Sequence, residues 1–159
     1  MMERLSEKEW KEFGYEKFFA LQKQKNKLSA TDCSYDGKTP VYASQSQNNG
    51  VMGFTNGEPE IDIKRYRYLI FGDHTRCMNL VQCSFSAADN VKILKSNGLN
   101  MDDLAFIAVA WEKRIPDMGY ARHWRKAKTV GISLPVDYKG NPDYNYMTLY
   151  SAKVRGVCS

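Results

Sequence analysis

The chain has 159 residues, 43% of them hydrophobic, which fits about one domain with a real core. Its formal net charge of +5 favours an anionic partner, although a domain can carry that charge for solubility alone. The four cysteines have no CxxC spacing and accompany two histidines, so we expect no zinc site, disulfide framework or cofactor. The charged N-terminal region and the lack of a long apolar run exclude secretion and membrane insertion, and the cytoplasm is the expected location.

The first part of the chain predicts one helix and one strand. Residues 6–9 have the Ser-x-x-Glu pattern of a capping box, and the helix that it would start places Trp10 and Phe13 on one face. Residues 18–21 form an apolar patch before the polar run 22–27, which is typical of a strand that leads into a loop.

Residues 39–54 predict a β-hairpin with an amide-rich tip, because two strand-like stretches flank a polar loop that ends in the turn sequence Asn-Gly. The side-chain amides of this tip belong to Gln45, Gln47, Asn48 and Asn49. Each amide carries a donor and an acceptor in one plane and can pair with an adenine edge in the major groove. These residues are therefore candidates for DNA contact. The alternative is that the turn alone requires these residue types.

Cations follow in the next predicted strand and turn. Residues 61–71 are strand-like, and tyrosines interleave with the basic residues of this segment. The basic residues are Lys64, Arg65 and Arg67. Such a strand can neutralise phosphates and stack on bases, or it can be a surface strand with an ordinary polar face. The turn at 72–76 comes directly after it and places His74 and Arg76 at a loop tip, from which they can contact a groove.

The clearest helical periodicity begins near residue 100. Residues 100–103 have capping chemistry, and Leu104, Ile107, Ala108 and Trp111 fall on one face of the helix that follows. We expect this face to lie in the core.

A cationic loop and a C-terminal joint follow that helix. We expect residues 119–126 to be exposed and their basic side chains to contact DNA phosphates. These side chains are Arg122, His123, Arg125 and Lys126. A short edge strand at 130–136 then leads through a turn at 139–142 to a helix that Asn141 caps and Pro142 opens.

Several of these segments, in this order, resemble the DNA specificity subunits of type I and type IIB restriction-modification systems. The likeness is carried by Asn-Asn-Gly at 48–50, Phe-Gly-Asp at 71–73, Gly-Tyr-Ala-Arg at 119–122, and Ile-Ser-Leu-Pro-Val at 132–136 followed by Gly-Asn-Pro-Asp-Tyr at 140–144. The resemblance implies an α+β (mixed α/β) target recognition domain with a twisted, mostly antiparallel sheet and a few helices. This domain would span residues 1–136, and residues 137–159 would form a turn and the stub of a spacer helix.

The resemblance also implies a function without catalysis. The chain would bind double-stranded DNA and recognise one half of a bipartite site for methyltransferase and restriction subunits, which are separate chains. Because only one such domain is expected here, the chain would be a half-subunit, a truncated product or an engineered piece, and as a half-subunit it could form a homodimer.

Other functions remain open on the residues alone. The aromatic and basic loops could contact an acidic protein surface, which would make the chain a protein-interaction module. Asp62 and Lys64, with Asp36 as a second carboxylate, have the composition of a metal-dependent nuclease site, although such a pattern arises easily by chance. Residues 141–144 imitate the Asn-Pro-Pro-Tyr motif of adenine methyltransferases, but Asp143 replaces the second proline and no glycine-rich cofactor loop follows a strand.

Overall fold

Three sheets and three α-helices make up the computed structural model, which describes residues 2–156. The strands are β1 (Trp10–Phe13), β2 (Phe19–Gln22), β3 (Lys27–Leu28), β4 (Thr39–Tyr42), β5 (Val51–Thr55), β6 (Tyr68–Gly72), β7 (Met78–Leu80), β8 (Ser86–Ala88), β9 (Val91–Ser96) and β10 (Ile132–Pro135). The helices are α1 (Met101–Arg114), α2 (Trp124–Ala127) and α3 (Tyr144–Val154). The expected α+β class is confirmed, with three sheets where one was expected.

The central sheet has the strand order β2-β9-β6-β7 and is antiparallel throughout. Every residue of β6 is buried, and its side chains alternate between two hydrophobic clusters. Leu69 and Phe71 belong to the cluster on the helical side, whereas Tyr68 and Ile70 belong to the other. A strand covered on both faces needs a continuous apolar run, and the sequence Tyr-Leu-Ile-Phe supplies it.

The helical side of the central sheet is covered by α1, as the periodicity predicted. The Asn100 side chain accepts a hydrogen bond from Asp103 N at 2.8 Å and caps the helix. Leu104, Ile107 and Trp111 are fully buried, which confirms the predicted core face. The indole N–H of Trp111 donates to the Ala127 carbonyl at 3.0 Å, so its burial leaves no polar atom unpaired.

The other side of the central sheet is covered by a second sheet with the strand order β3-β8-β4-β5. β8 pairs in parallel with both β3 and β4, while β4 and β5 form the predicted antiparallel hairpin, in which Tyr42 lies opposite Val51. The amide-rich segment is therefore the tip of this hairpin.

The helix predicted from the pattern at residues 6–9 is wrong. Leu5–Glu7 is a single turn of 3₁₀ helix, and the next segment is strand β1, which pairs antiparallel with β10. Trp10 lies opposite Pro135 and Phe13 opposite Ile132. Because the partner strand lies near the other end of the chain, the local pattern carries no sign of it.

At the C-terminal joint the predicted strand and turn are present as β10 and the turn around Gly140. The predicted cap is displaced, since Asp143 and not Asn141 caps α3, with its carboxylate accepting from Tyr146 N at 3.0 Å. The same carboxylate lies 2.7 Å from Lys8 Nζ.

Helix α3 packs against α1. Thr148 donates to the Asp103 carboxylate at 2.8 Å, Ser151 donates to the Asp102 carbonyl at 3.0 Å, and Met147 is fully buried in the helical-side core. The division of the chain at residue 136 stays a prediction. None of the helices in residues 2–156 has the length and apolar character needed to cross a membrane.

Candidate nucleic-acid interface

The hairpin tip is a tight turn built from left-handed backbone. Asn48, Asn49 and Gly50 have φ angles of 52°, 54° and 85° within the 3₁₀ turn Gln47–Gly50. Asparagine tolerates this conformation better than most residues, which explains the two Asn side chains in part by the backbone alone. A Cβ atom on Gly50 would lie 2.5 Å from Asn79 Nδ2, so the tip packs directly on β7.

The four amides of the tip divide into one that is internal and three that are exposed. Gln45 Nε2 donates to the Gln47 and Val51 carbonyls, both at 3.0 Å, and the residue is half-buried. Its amide donors are therefore used to hold the tip. Gln47, Asn48 and Asn49 are exposed, and their side chains project from the turn.

Ser44 joins the hairpin tip to the turn between β6 and β7. Its hydroxyl oxygen accepts from the backbone N–H groups of His74 at 2.9 Å and Thr75 at 3.1 Å. Gly72 makes this approach possible, since a Cβ there would lie 2.7 Å from Ser44 Oγ and 2.6 Å from Thr75 Oγ1. The two segments are thus one packed unit.

Asp73 joins the same turn to the cationic segment before α2. Its carboxylate accepts from Trp124 N at 2.8 Å and from Arg122 Nη1 at 3.2 Å, and its carbonyl accepts from His123 N at 2.8 Å. The Asp73 side chain is 4% exposed, so a nearly buried carboxylate holds the two segments together.

The expectation that residues 119–126 are all exposed is wrong for His123 and Trp124. His123 is 1% exposed, and its Nε2 accepts from Met118 N at 2.9 Å, which requires the neutral ring with the proton on Nδ1. Nδ1 then donates to the Asp73 carbonyl at 3.0 Å. Trp124 packs against Phe71 and the indole of Trp111. His123 is thus a structural residue that is inaccessible to DNA in this structure.

The remaining basic side chains near this junction differ in exposure and in their hydrogen bonds. Arg125 and Lys126 are exposed on the short helix α2, and His74 is exposed in the turn. Arg76 is half-buried, and its Nη1 donates to the Ile115 carbonyl at 2.9 Å, so it fastens the end of α1. Its φ of 56° is unusual for arginine, and strained backbone of this kind is concentrated at functional sites.

Three predicted segments therefore meet at one end of the central sheet. We call their exposed side chains the recognition surface, which consists of Gln47, Asn48, Asn49, His74, Arg122, Arg125 and Lys126. The surface offers three planar amides, two arginines, a lysine and a histidine. Within the described residues, the carboxylate that directly contacts one of these side chains is that of Asp73, which pairs with Arg122. Ser44 belongs to no motif, and Asp73 stands out in the sequence only as part of the Phe-Gly-Asp turn; the contacts by which they assemble the surface are visible only in the structure.

The other basic residues form a separate group, the basic loop, made of Lys64, Arg65 and Arg67. The strand predicted over 61–71 is shorter than expected, since β6 begins at Tyr68 and residues 62–67 are a loop. All three cations are exposed. They precede β6 whereas His74 follows it, so the length of the strand, roughly 13 Å at about 3.3 Å per residue, separates the two groups.

The residues of the two enzyme alternatives have local structural partners. Asp36 accepts from Asn56 Nδ2 at 3.2 Å, and this hydrogen bond, with others, lowers the pKa of Asp36. Asp62 accepts from Lys64 N at 2.8 Å. Residues 2–156 contain no group of three His, Cys, Asp or Glu side chains placed to hold a metal ion. Asp143 of the methyltransferase-like motif is the cap of α3.

No family model and no curated protein matches the sequence. Among solved structures, the chain is similar to the S subunit of a type I restriction-modification system from M. genitalium, with a TM-score of 0.69 and 12% identity. The chain has the fold of one part of that specificity subunit, its target recognition domain. The match covers 98% of this chain and 40% of that one, so the chain spans less than half the length of its structural neighbour. The resemblance expected from the motifs is thus confirmed at the level of the fold.

Proposed function

We propose that the chain is a non-catalytic, sequence-specific DNA-binding domain that recognises one half of a bipartite duplex site. The observation that carries the proposal is the convergence of the amide tip, the turn after β6 and the cationic segment in one recognition surface. The specificity-subunit fold supports the same function.

The chemistry of the recognition surface suits this task. Cationic side chains such as Arg125 and Lys126 can neutralise phosphates without regard to sequence, while exposed amides such as that of Gln47 can pair with base edges. Phosphate contacts fix the position of a protein on the duplex and base contacts give the discrimination. Both kinds of contact require side chains that are held in fixed positions, and the hydrogen bonds of Ser44 and Asp73 hold the segments that carry them.

The partners follow from the same proposal. A domain without its own catalytic site would direct a methyltransferase subunit and a restriction subunit to the site that it recognises. Because it would recognise half of a bipartite site, we propose that two copies of the chain pair on DNA. The cytoplasm is the proposed location.

Selection from a pool of randomised duplexes tests the central claim. The chain should enrich a short common sequence, and its affinity for that sequence should fall steeply with salt because bound phosphates release counterions. Tight binding to an acidic protein surface with no enrichment from the duplex pool would instead identify a protein-interaction module. Light scattering with and without the enriched duplex tests the pairing of two copies.

A further inference from the structure

The side chain of Arg122 is held in a different way from the neighbouring cations. Its Nη1 lies 3.2 Å from Asp73 Oδ2, and the arginine side chain is 56% exposed while the aspartate is 4% exposed. Asp73 is itself fixed, because its other carboxylate oxygen accepts from Trp124 N at 2.8 Å. Arg122 is therefore an exposed guanidinium anchored to a rigid, nearly buried acceptor.

This anchoring changes what Arg122 can contribute to DNA binding. A carboxylate within hydrogen-bond distance offsets part of the arginine charge. This weakens its attraction for a phosphate compared with Arg125 and Lys126, which form no ion pair within residues 2–156. The orientation of the guanidinium, in contrast, becomes better defined. With Nη1 on Asp73, the edge formed by Nε and Nη2 keeps two parallel N–H donors, and neither atom has a partner among residues 2–156.

We propose that Arg122 recognises a guanine base through this edge, and that Asp73 is the positioning residue that orients it; the proposal rests on the DNA-binding function proposed above. Two parallel donors match the O6 and N7 acceptors that guanine presents in the major groove. Lysine at this position would keep the positive charge but lose the two parallel N–H donors. The cationic pattern of residues 122–126 thus contains one base-reading residue beside phosphate contacts.

Three variants of the chain test the proposal, each assayed against the duplex that the wild-type chain enriches. R122K should bind that duplex about 5- to 150-fold more weakly, the range of one bidentate base contact, while its binding to random duplex changes little. D73N keeps an oxygen for Trp124 N but loses the charge that holds the guanidinium, and should show part of the same loss. R114K is the matched control, since Arg114 is also an exposed, ion-paired arginine but pairs with Glu12, outside the recognition surface.

Replacing single guanines of the enriched duplex by 7-deazaguanine, which lacks the N7 acceptor, identifies the base. At one position the substitution should weaken the wild-type chain and leave R122K unaffected. Enrichment by R122K of the same sequence as the wild type at every position would overturn the proposal for Arg122 while leaving the DNA-binding function intact. Failure of the wild-type chain to enrich any sequence would overturn the DNA-binding function itself.

Discussion

At the scale of single residues, Asn48 and Asn49 illustrate how a turn requirement and a recognition role can coincide. Both side chains are exposed amides, and both backbones are left-handed. Alanine at either position removes the amide and strains the backbone together, so its effect on binding has two causes. Glycine removes the amide and keeps the backbone relaxed, which separates them.

We therefore predict different results for the two substitutions at the hairpin tip. N48A and N49A should each lower the free energy of unfolding by about 1 kcal/mol, whereas N48G and N49G should stay close to wild type in stability. If the tip contacts bases, Q47A or one of the glycine variants should lose about 1–3 kcal/mol on the enriched duplex and much less on random DNA. Urea denaturation and duplex titration of each variant provide the measurements. Unchanged preference in Q47A, N48G and N49G would assign the tip a purely structural role.

The residues that assemble the recognition surface show why sequence predicted its parts and not its whole. The amide tip and the cations near residue 122 stand out as composition. Ser44 and Asp73 are ordinary polar residues whose partners lie 30 and about 50 positions away. His123 looked like one more cation, yet hydrogen bonds to Met118 and Asp73 make it a buried neutral residue. Local pattern carries no information on such contacts.

At the scale of elements, Ser44 is predicted to couple the β4–β5 hairpin to the turn after β6. S44A removes the acceptor of two backbone N–H groups at a half-buried site, which should lower the free energy of unfolding by about 1–3 kcal/mol. S46A is the control, because Ser46 is an exposed serine of the same tip whose side chain does not cap the turn. Equal stability of the two variants would show that the junction contributes nothing to the fold.

The joint at α3 depends on an ion pair between two distant parts of the chain. Burial acts to raise the pKa of Asp143, but the hydrogen bonds from Lys8 and Tyr146 N outweigh it and the pKa is lowered. The hydrogen bond to Asp143 raises the pKa of Lys8. The carboxylate therefore adds stability above its unfolded pKa of about 3.9, and this stability is lost as the pH falls through the lower folded value. The ammonium adds stability below about pH 10.4, and this is lost as the pH rises through its folded pKa.

D143N and D143A should separate this ion pair from the helix cap. Asparagine still caps α3 but leaves Lys8, whose side chain is 9% exposed, without its nearest carboxylate, so D143N should cost about 1.5–3 kcal/mol at pH 7. D143A should cost about 0.5–2 kcal/mol more, the usual value of a cap. The deficit of D143N should shrink as the pH falls below about 4 toward the lowered folded pKa of Asp143, because the wild-type carboxylate is protonated there and loses its ion pair. Urea denaturation at pH 7 and pH 3 checks this, and a deficit independent of pH would contradict it.

Among the elements, those specified by local pattern were predicted and those specified by distant pairing were not. Helix α1 has its own cap and apolar face, and the β4–β5 hairpin has its own turn chemistry, so both were found. Strand β1 forms because β10 pairs with it. Its four residues do not alternate between buried and exposed positions, so the local sequence does not predict a strand there. The cap of α3 was misplaced by two residues, since Asn141 and Asp143 both suit the position by residue type. In the structure Asn141 belongs to the turn that closes on Asp137, and Pro142 pairs with Val136, so the helix begins only after Asp143.

At the scale of the whole molecule, the central sheet determines how far apart the two groups of basic side chains lie. Because β6 is an extended strand, the segments before and after it lie at its opposite ends. The basic loop lies at one end and the recognition surface at the other. A 20-base-pair duplex is about 68 Å long, at 3.4 Å per base pair, which exceeds the roughly 13 Å of β6 between the two groups.

We predict that the two cationic groups contribute separately to affinity and differ in their effect on specificity. Each lost phosphate contact should reduce the slope of log affinity against log salt by about 0.9. The double variant R125A/K126A should therefore lower the slope by at most about 1.8, and the triple variant K64A/R65A/R67A by at most about 2.7.

Both variants should weaken binding to enriched and random duplexes alike, because side chains that contact phosphates do not read the base sequence. Combining the five substitutions should give the sum of the two effects, since the groups lie roughly 13 Å apart along β6 and share no contact. Salt titrations from 50 to 200 mM on the same duplex give the slopes; K113A/K128A, which removes two exposed lysines outside both groups, is the control for net charge. A slope that the triple variant leaves unchanged would place the basic loop away from the DNA and leave the recognition surface as the whole of the interface.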